Sequence, residues 1–108
     1  MADFDAFLEQ LKTSLKGLAQ NSFKKYSQQI LHDGTEFAKK LEDDLQRWSV
    51  EYSIHEMTKE EFEFLVKGKK DLLEMEALKQ LGLARTELNK LRNAIVDTIT
   101  GTAVKVLL

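Results

Sequence analysis

The chain has two histidines, His32 and His55, and each has a glutamate four residues away. Glu36 follows His32 and Glu51 precedes His55, so each pair would lie on one face of a helix, where it could share a metal ion. Helical di-iron proteins use Glu-x-x-His motifs, and this sequence contains none. The histidines are therefore expected to be surface residues, and the sequence predicts no metal site and no cofactor.

Paired carboxylates could act as general acids and bases if they shared a cleft that shifts their pKa values. Two such groups occur, Glu42-Asp43-Asp44 and Glu60-Glu61, but lysines neighbour both of them on predicted solvent faces. The chain also lacks cysteine, a nucleophile motif and a glycine-rich phosphate loop. Because no reactive set converges, we expect a protein that is not an enzyme.

The basic residues form three lysine clusters, Lys24-Lys25, Lys39-Lys40 and Lys67-Gly68-Lys69-Lys70. Acidic residues lie close to the second and third clusters, only three arginines occur, and the net charge is −2. Nucleic-acid binding would need a basic face with arginine or aromatic readers. The sequence therefore predicts no nucleic-acid partner.

The composition favours a soluble helical protein. Of 108 residues, 43% are apolar and 31% are charged, with five glycines and no proline. A chain without proline can support long helices. It lacks a run of about 18 apolar residues that could span a membrane, and its first residues lack the basic-then-apolar order of a signal peptide. We therefore expect one cytoplasmic domain over residues 1–108.

Two rows of apolar residues, each with a period of eleven, run through the first half of the chain. Eleven residues make three turns at about 3.67 residues per turn, so each row lies nearly straight along one helix face. This period predicts one amphipathic helix over residues 4–52. The rows are Phe4, Leu15, Tyr26, Phe37, Trp48 and Leu8, Ala19, Ile30, Leu41, Tyr52.

The second half has the same period and predicts a second helix over residues 58–106. Thr58 and Glu61 form a capping-box pattern at its start, and residues 53–57 are the best candidate for the turn between the helices. The rows of the second helix are Phe62, Leu73, Ala84, Ile95, Val106 and Val66, Ala77, Leu88, Ile99.

The two helices should pair as a long antiparallel hairpin, because a short turn joins them. A register centred on His55 places Trp48 opposite Phe62 and Leu15 opposite Ile95. Each helix would be roughly 75 Å long at 1.5 Å per residue. A hairpin of that length has little interior, so its surplus apolar residues predict self-association into a coiled-coil bundle, as a homodimer or a higher oligomer.

The glycines leave a second architecture open, a compact bundle with helices broken near Gly34 and Gly82. Asp33-Gly34-Thr35 could end one helix and cap the next. Against a break there, both apolar rows cross Gly34 in phase, and one glycine within a helix costs roughly 1 kcal/mol. We therefore favour a continuous helix through Gly34, with Leu81-Gly82-Leu83 as a second candidate kink.

Two groups of apolar residues are candidates for contact with a partner. The first group cannot all face a single partner helix and would form an outer face: Phe7, Leu11, Leu18, Leu72, Leu83 and Val96. The second group lies at the tip of the hairpin: Trp48, Ile54, Met57 and Phe64. The tip would either close the bundle as an aromatic plug or dock on a protein or a membrane surface.

The eleven-residue repeat over residues 4–52 and 62–106 resembles the lipid-binding helices of exchangeable apolipoproteins and related lipid-droplet proteins, although those usually carry prolines between repeats. The resemblance implies a helical protein that opens on a lipid surface. The residues themselves favour a non-catalytic scaffold, adaptor or assembly subunit. Such a protein would act through protein–protein contacts with itself and an unknown protein partner, with lipid-surface binding as the alternative.

Overall fold

The computed structural model describes residues 4–108, and the regular elements in that range are all helical. The predicted all-α class is therefore confirmed. Short 3₁₀ turns, Lys24–Tyr26 and Lys70–Leu72, lie before α2 and before α5. The α-helices are α1 Phe4–Ser22, α2 Ser27–Lys40, α3 Glu42–Ser53, α4 Lys59–Gly68, α5 Glu76–Lys79 and α6 Arg85–Leu107.

Helix α6 lies at the centre of the core, where it packs against α1, α2, α3 and α4. A helix covered on several sides must be apolar on several sides. Its buried apolar residues are Leu91, Ile95, Val96, Ile99, Ala103 and Leu107. The buried Thr100 and Thr102 fit among them because each hydroxyl donates a hydrogen bond of 2.8 Å to a carbonyl one turn earlier in the helix.

The prediction of two uninterrupted helices is wrong. The first half breaks after Ser22 and again at Leu41, and the second half is interrupted between Gly68 and Arg85. The molecule measures 44 × 23 × 20 Å, much shorter than a rod of about 75 Å. Most residues of the eleven-residue rows are buried. The chain nevertheless leaves helical geometry at Phe23 (φ −141°, ψ 50°), where it turns.

The breaks cover apolar residues that a straight hairpin would leave outside. Phe7, Leu11 and Val96 are buried within one chain, because α1 packs against α2 as well as α6, and α4 packs against α6 as well as α3. The surplus apolar surface therefore does not require a second chain. Self-association stays a prediction.

The order of helix contacts still follows an antiparallel hairpin. Helix α1 packs against α6, α2 against α5, and α3 against α4. The predicted pairing of Trp48 with Phe62 is confirmed, since their ring centroids lie 6.4 Å apart with the rings at 85°. Breaks within each half shorten the molecule, and the helices of the first half still pack against those of the second half in antiparallel order.

Gly34 lies inside α2, so the predicted continuity is confirmed and the alternative break at this position is wrong. An added Cβ at Gly34 would lie 2.7 Å from Leu15 Cδ1 and 3.5 Å from Ile95 Cγ2. The predicted partners Leu15 and Ile95 therefore meet at this glycine. Gly82, with φ of +70°, lies in the turn between α5 and α6, so the predicted break near Gly82 is confirmed.

The turn between α3 and α4 is capped from both sides. After α3, Glu56 N–H donates to Glu51 O at 2.8 Å across His55, whose φ is 65°, as in a Schellman motif. The predicted capping box of α4 is confirmed, because Glu61 N–H donates to Thr58 Oγ1 at 3.1 Å and Thr58 N–H donates to Glu61 Oε1 at 2.9 Å. These hydrogen bonds fix the direction in which α4 leaves the turn.

Candidate functional site

The predicted aromatic tip is divided between the core and the surface. Trp48 is buried against Phe62, and Met57 is half-buried against the core. The guanidinium of Arg47 lies over the Trp48 ring, 6.0 Å from its centroid. Trp48 and Phe62 therefore pack against each other inside the core and offer little aromatic surface to a partner.

Phe64 lies on the outer face of α4, about 200° around the helix from the buried Phe62. It is 75% exposed. With Glu60, Glu61 and Leu65 it lines a shallow depression of about 290 Å³. We term these four residues the Phe64 patch, and it offers a partner an aromatic ring flanked by two carboxylates.

Ile54, the remaining tip residue, is 56% exposed directly after α3. Val50, one helical turn earlier, is 49% exposed. Apolar surface at the α3–α4 turn is thus available on α3 as well as on α4.

The residues predicted for an outer helix face do not lie on one surface. Phe7, Leu11 and Val96 belong to the buried core, and Leu18 and Leu83 are partly buried against it. Leu72 is 42% exposed and lines a charged cleft between α2 and the segment before α5. Of this group only Leu72 therefore presents a large exposed apolar side chain.

The charged cleft is formed around Asp33, whose side chain is buried. Asp33 Oδ1 accepts from Ala77 N–H at 3.0 Å, and Oδ2 accepts from Leu78 N–H at 2.9 Å. His32 Nδ1 lies 3.2 Å from the same Oδ1. Both carboxylate oxygens are engaged, so Asp33 caps α5 from a different helix.

The same cleft has a volume of about 280 Å³ and contains a second contact between α2 and the segment before α5. The ammonium of Lys40 lies 2.6 Å from Glu74 Oε1 and 3.4 Å from the carbonyl oxygen of Leu72. The hydrogen bond from Lys40, followed by one that involves Glu76, lowers the pKa of Glu74 below its usual range. Lys40 and Glu74 thus tie α2 to the segment before α5.

Sequence reasoning missed the role of Asp33, because Asp33-Gly34 resembles a turn signal. The repeat itself carried the signal: Asp33 lies two eleven-residue periods after Leu11, which is fully buried. An acidic side chain at a buried position needs donors, and the backbone amides that begin a helix can supply them.

A second groove, of about 500 Å³, lies at the corner where α1 turns into α2 and beside the start of α6. The half-buried Phe23 and Tyr26 contribute aromatic surface to it. We term it the basic groove, because its charged lining residues are Lys24, Lys25, Lys90 and Glu87. Sequence reasoning assigned Lys24-Lys25 only to a mixed surface, since the turn that gathers these residues was not predicted.

Residues 4–108 contain no group of three or more histidine, cysteine, aspartate or glutamate side chains that could hold a metal ion. None of the helices in that range combines the length and the apolar character that crossing a membrane requires.

Comparison with protein-family models, with curated proteins and with solved structures gave no significant match.

Proposed function

We propose that this chain is a non-catalytic, cytoplasmic helical assembly subunit that acts through protein–protein contacts, with copies of itself as the first partner. The observation that carries the proposal is the position of Phe64. Of the six phenylalanines, all within residues 4–108, four are buried and Phe23 is half-buried, whereas Phe64 is 75% exposed. Burying a phenylalanine side chain is favourable by about 1.5–3 kcal/mol, so a partner that covers Phe64 gains affinity.

The charged cleft supports a non-catalytic role. Its buried carboxylate, Asp33, accepts hydrogen bonds from two backbone amides of α5. Lys40 and Glu74 pair with each other. These groups are engaged by partners within the chain, whereas a general acid or base would need a free position toward a substrate.

The test is the molar mass of the purified chain over a concentration series, measured by light scattering and sedimentation velocity. We expect the mass to rise with concentration for the wild type. Phe64→Ser should shift the rise to higher concentration, while Leu81→Ser, which alters a different exposed apolar residue, should leave it unchanged. A wild type that stays monomeric at every concentration would contradict self-association.

Flotation with lipid vesicles separates the alternative function. The apolar rows that resemble lipid-binding helices are mostly buried within the chain, so lipid binding would require the bundle to open. We expect neither co-flotation nor a change in helical circular dichroism on adding neutral or anionic vesicles. Co-flotation of the wild type would overturn the proposal in favour of a lipid-surface protein.

A further inference from the structure

We propose that copies of the chain join head to tail, with the Phe64 patch of one copy seated in the basic groove of the next. This inference rests on the proposed function and specifies its contact surfaces. It assigns different patches to the two sides of the interface, unlike a two-fold dimer, in which the same patch meets itself.

Charge is the first argument. The Phe64 patch places Glu60 and Glu61 beside an exposed aromatic ring, and the basic groove has three lysines against one glutamate. Complementary charges of this kind set the orientation and the association rate of an interface. A Phe64 patch facing another Phe64 patch would instead bring four carboxylates together.

The charged side chains of the two surfaces also lack salt-bridge partners within the described part of the chain. Within residues 4–108, neither the glutamates of the Phe64 patch nor the lysines of the basic groove form a salt bridge. Other lysines do pair, as Lys40 with Glu74, Lys67 with Asp97 and Lys69 with Asp44. The two proposed surfaces therefore carry opposite charges without salt-bridge partners in the described part of the chain, although Glu61 Oε1 also accepts a hydrogen bond from Thr58 N–H.

The apolar contact is the third argument. Phe23 and Tyr26 line the basic groove, whose volume of about 500 Å³ is larger than one phenylalanine side chain. Aromatic side chains at the centre of an interface, surrounded by polar groups, are typical of residues that dominate binding energy. Phe64 could thus be buried among aromatic side chains with its flanking glutamates near lysines.

The positions of the two surfaces exclude an internal contact. Lys90 of α6 lines the basic groove, whereas Gly101 of α6 lies beside Glu63, the neighbour of Phe64, in a cleft between α4 and α6. Eleven residues of helix separate these levels by roughly 16 Å. Phe64 cannot span that distance, so it can reach only the groove of another copy, and repeated contacts would form an open chain or a ring.

The experiment mixes two complementary variants of the full chain. Phe64→Ser removes the aromatic ring and leaves the basic groove intact. The double variant Lys24→Glu, Lys25→Glu reverses the charge of the groove at these two positions and leaves Phe64 intact. Alone, each variant should self-associate at least about tenfold more weakly than the wild type, as expected for loss of a central interface contact. In an equimolar mixture, the Phe64 patch of the groove variant can still bind the basic groove of the Phe64→Ser variant. The mixture should therefore form dimers with one copy of each variant. These dimers should grow no further, because the other groove and the other patch are disrupted. Light scattering and native mass spectrometry give the mass and composition.

The result that overturns the inference is specific. If the wild type self-associates and the groove variant does so equally well, the head-to-tail contact is wrong while the assembly function stands. If the mixture stays monomeric, the contact is also wrong. A monomeric wild type contradicts both proposals.

Salt provides a measurement that needs no variant. Self-association of the wild type should weaken as ionic strength rises, because the charges of the interface rim become screened. Unchanged association at high salt would contradict the charge-based contact. Circular dichroism of each variant verifies its fold, and Leu81→Ser serves as the control for loss of an exposed apolar side chain.

Discussion

At the scale of single residues, the neighbours Asp33 and Gly34 in α2 have different structural roles. Asp33 binds the backbone amides of α5, and Gly34 allows Leu15 and Ile95 to approach the helix backbone. Neither residue bends α2, although aspartate followed by glycine is a common turn sequence. Glycine has a low helix propensity, but any larger residue at this position would press against the buried Leu15.

Gly34→Ala tests that close packing. The new Cβ would lie 2.7 Å from Leu15 Cδ1, and Leu15 is fully buried, so the core must shift. We expect the overpacking cost to exceed the gain in helix propensity and to lower the free energy of unfolding by up to about 2 kcal/mol, measured by urea denaturation.

Gly17→Ala is the matched control, because Gly17 is also inside a helix but its added Cβ would meet nothing within 4 Å. This variant should be more stable than the wild type by about 0.5–1 kcal/mol. Equal stabilisation by both substitutions would show that Gly34 is not a packing constraint.

At the scale of helices, α5 depends on α2. It has only four residues, too few to be stable alone, and it begins after Met75, which has a left-handed φ of 57°. Two of its early amides donate to Asp33, and Leu78 is fully buried. The segment between α4 and α6 is therefore ordered by its contacts with α2 more than by its own sequence.

Asp33→Asn should detach α5. In the wild type, each backbone N–H of Ala77 and Leu78 donates to one carboxylate oxygen of Asp33. Asparagine has only one side-chain oxygen, so its NH₂ group would face one of these N–H groups and leave a buried donor without an acceptor. We expect a loss of about 1–3 kcal/mol in the free energy of unfolding and faster hydrogen exchange at Ala77 and Leu78. Glu36→Gln, an exposed change in the same cleft, should stay within about 0.5 kcal/mol of the wild type. Similar effects from the two variants would contradict the capping role.

The helices also indicate how much of this fold is predictable from sequence. The eleven-residue rows correctly placed Trp48 against Phe62, because burial follows periodicity. They did not reveal the breaks at Phe23 and Leu41, since neither residue is a glycine or a proline and the apolar phase continues through both. The end of α5 was signalled by Gly82, whose positive φ favours glycine.

The candidate site was predictable to a smaller extent. Phe64 and Ile54 were expected near the tip and are exposed. The basic groove was not expected, because its residues come from α1, the turn after it and α6, and only the break at Phe23 brings them together. Surfaces built from distant segments depend on tertiary packing that a local pattern does not encode.

At the scale of the whole molecule, the backbone forms a short particle in which α6 is enclosed by the earlier helices. We expect small-angle X-ray scattering of the dilute monomer to give a longest dimension somewhat above the 44 Å of the backbone, because side chains and bound water add to it. The uninterrupted hairpin would give about 75 Å. A rod-like profile at monomer mass would contradict the folded-back arrangement.

The pairing of α1 with α6 has a consequence for how the chain is made. Among the helices of residues 4–108, α1 is synthesised before the others, yet its packing partner α6 follows all of them. Contacts between such distant segments slow folding relative to a bundle with local contacts. Until α6 leaves the ribosome, α1 lacks one of its two main packing partners, and this interval is when the nascent chain is most exposed to aggregation or to a chaperone.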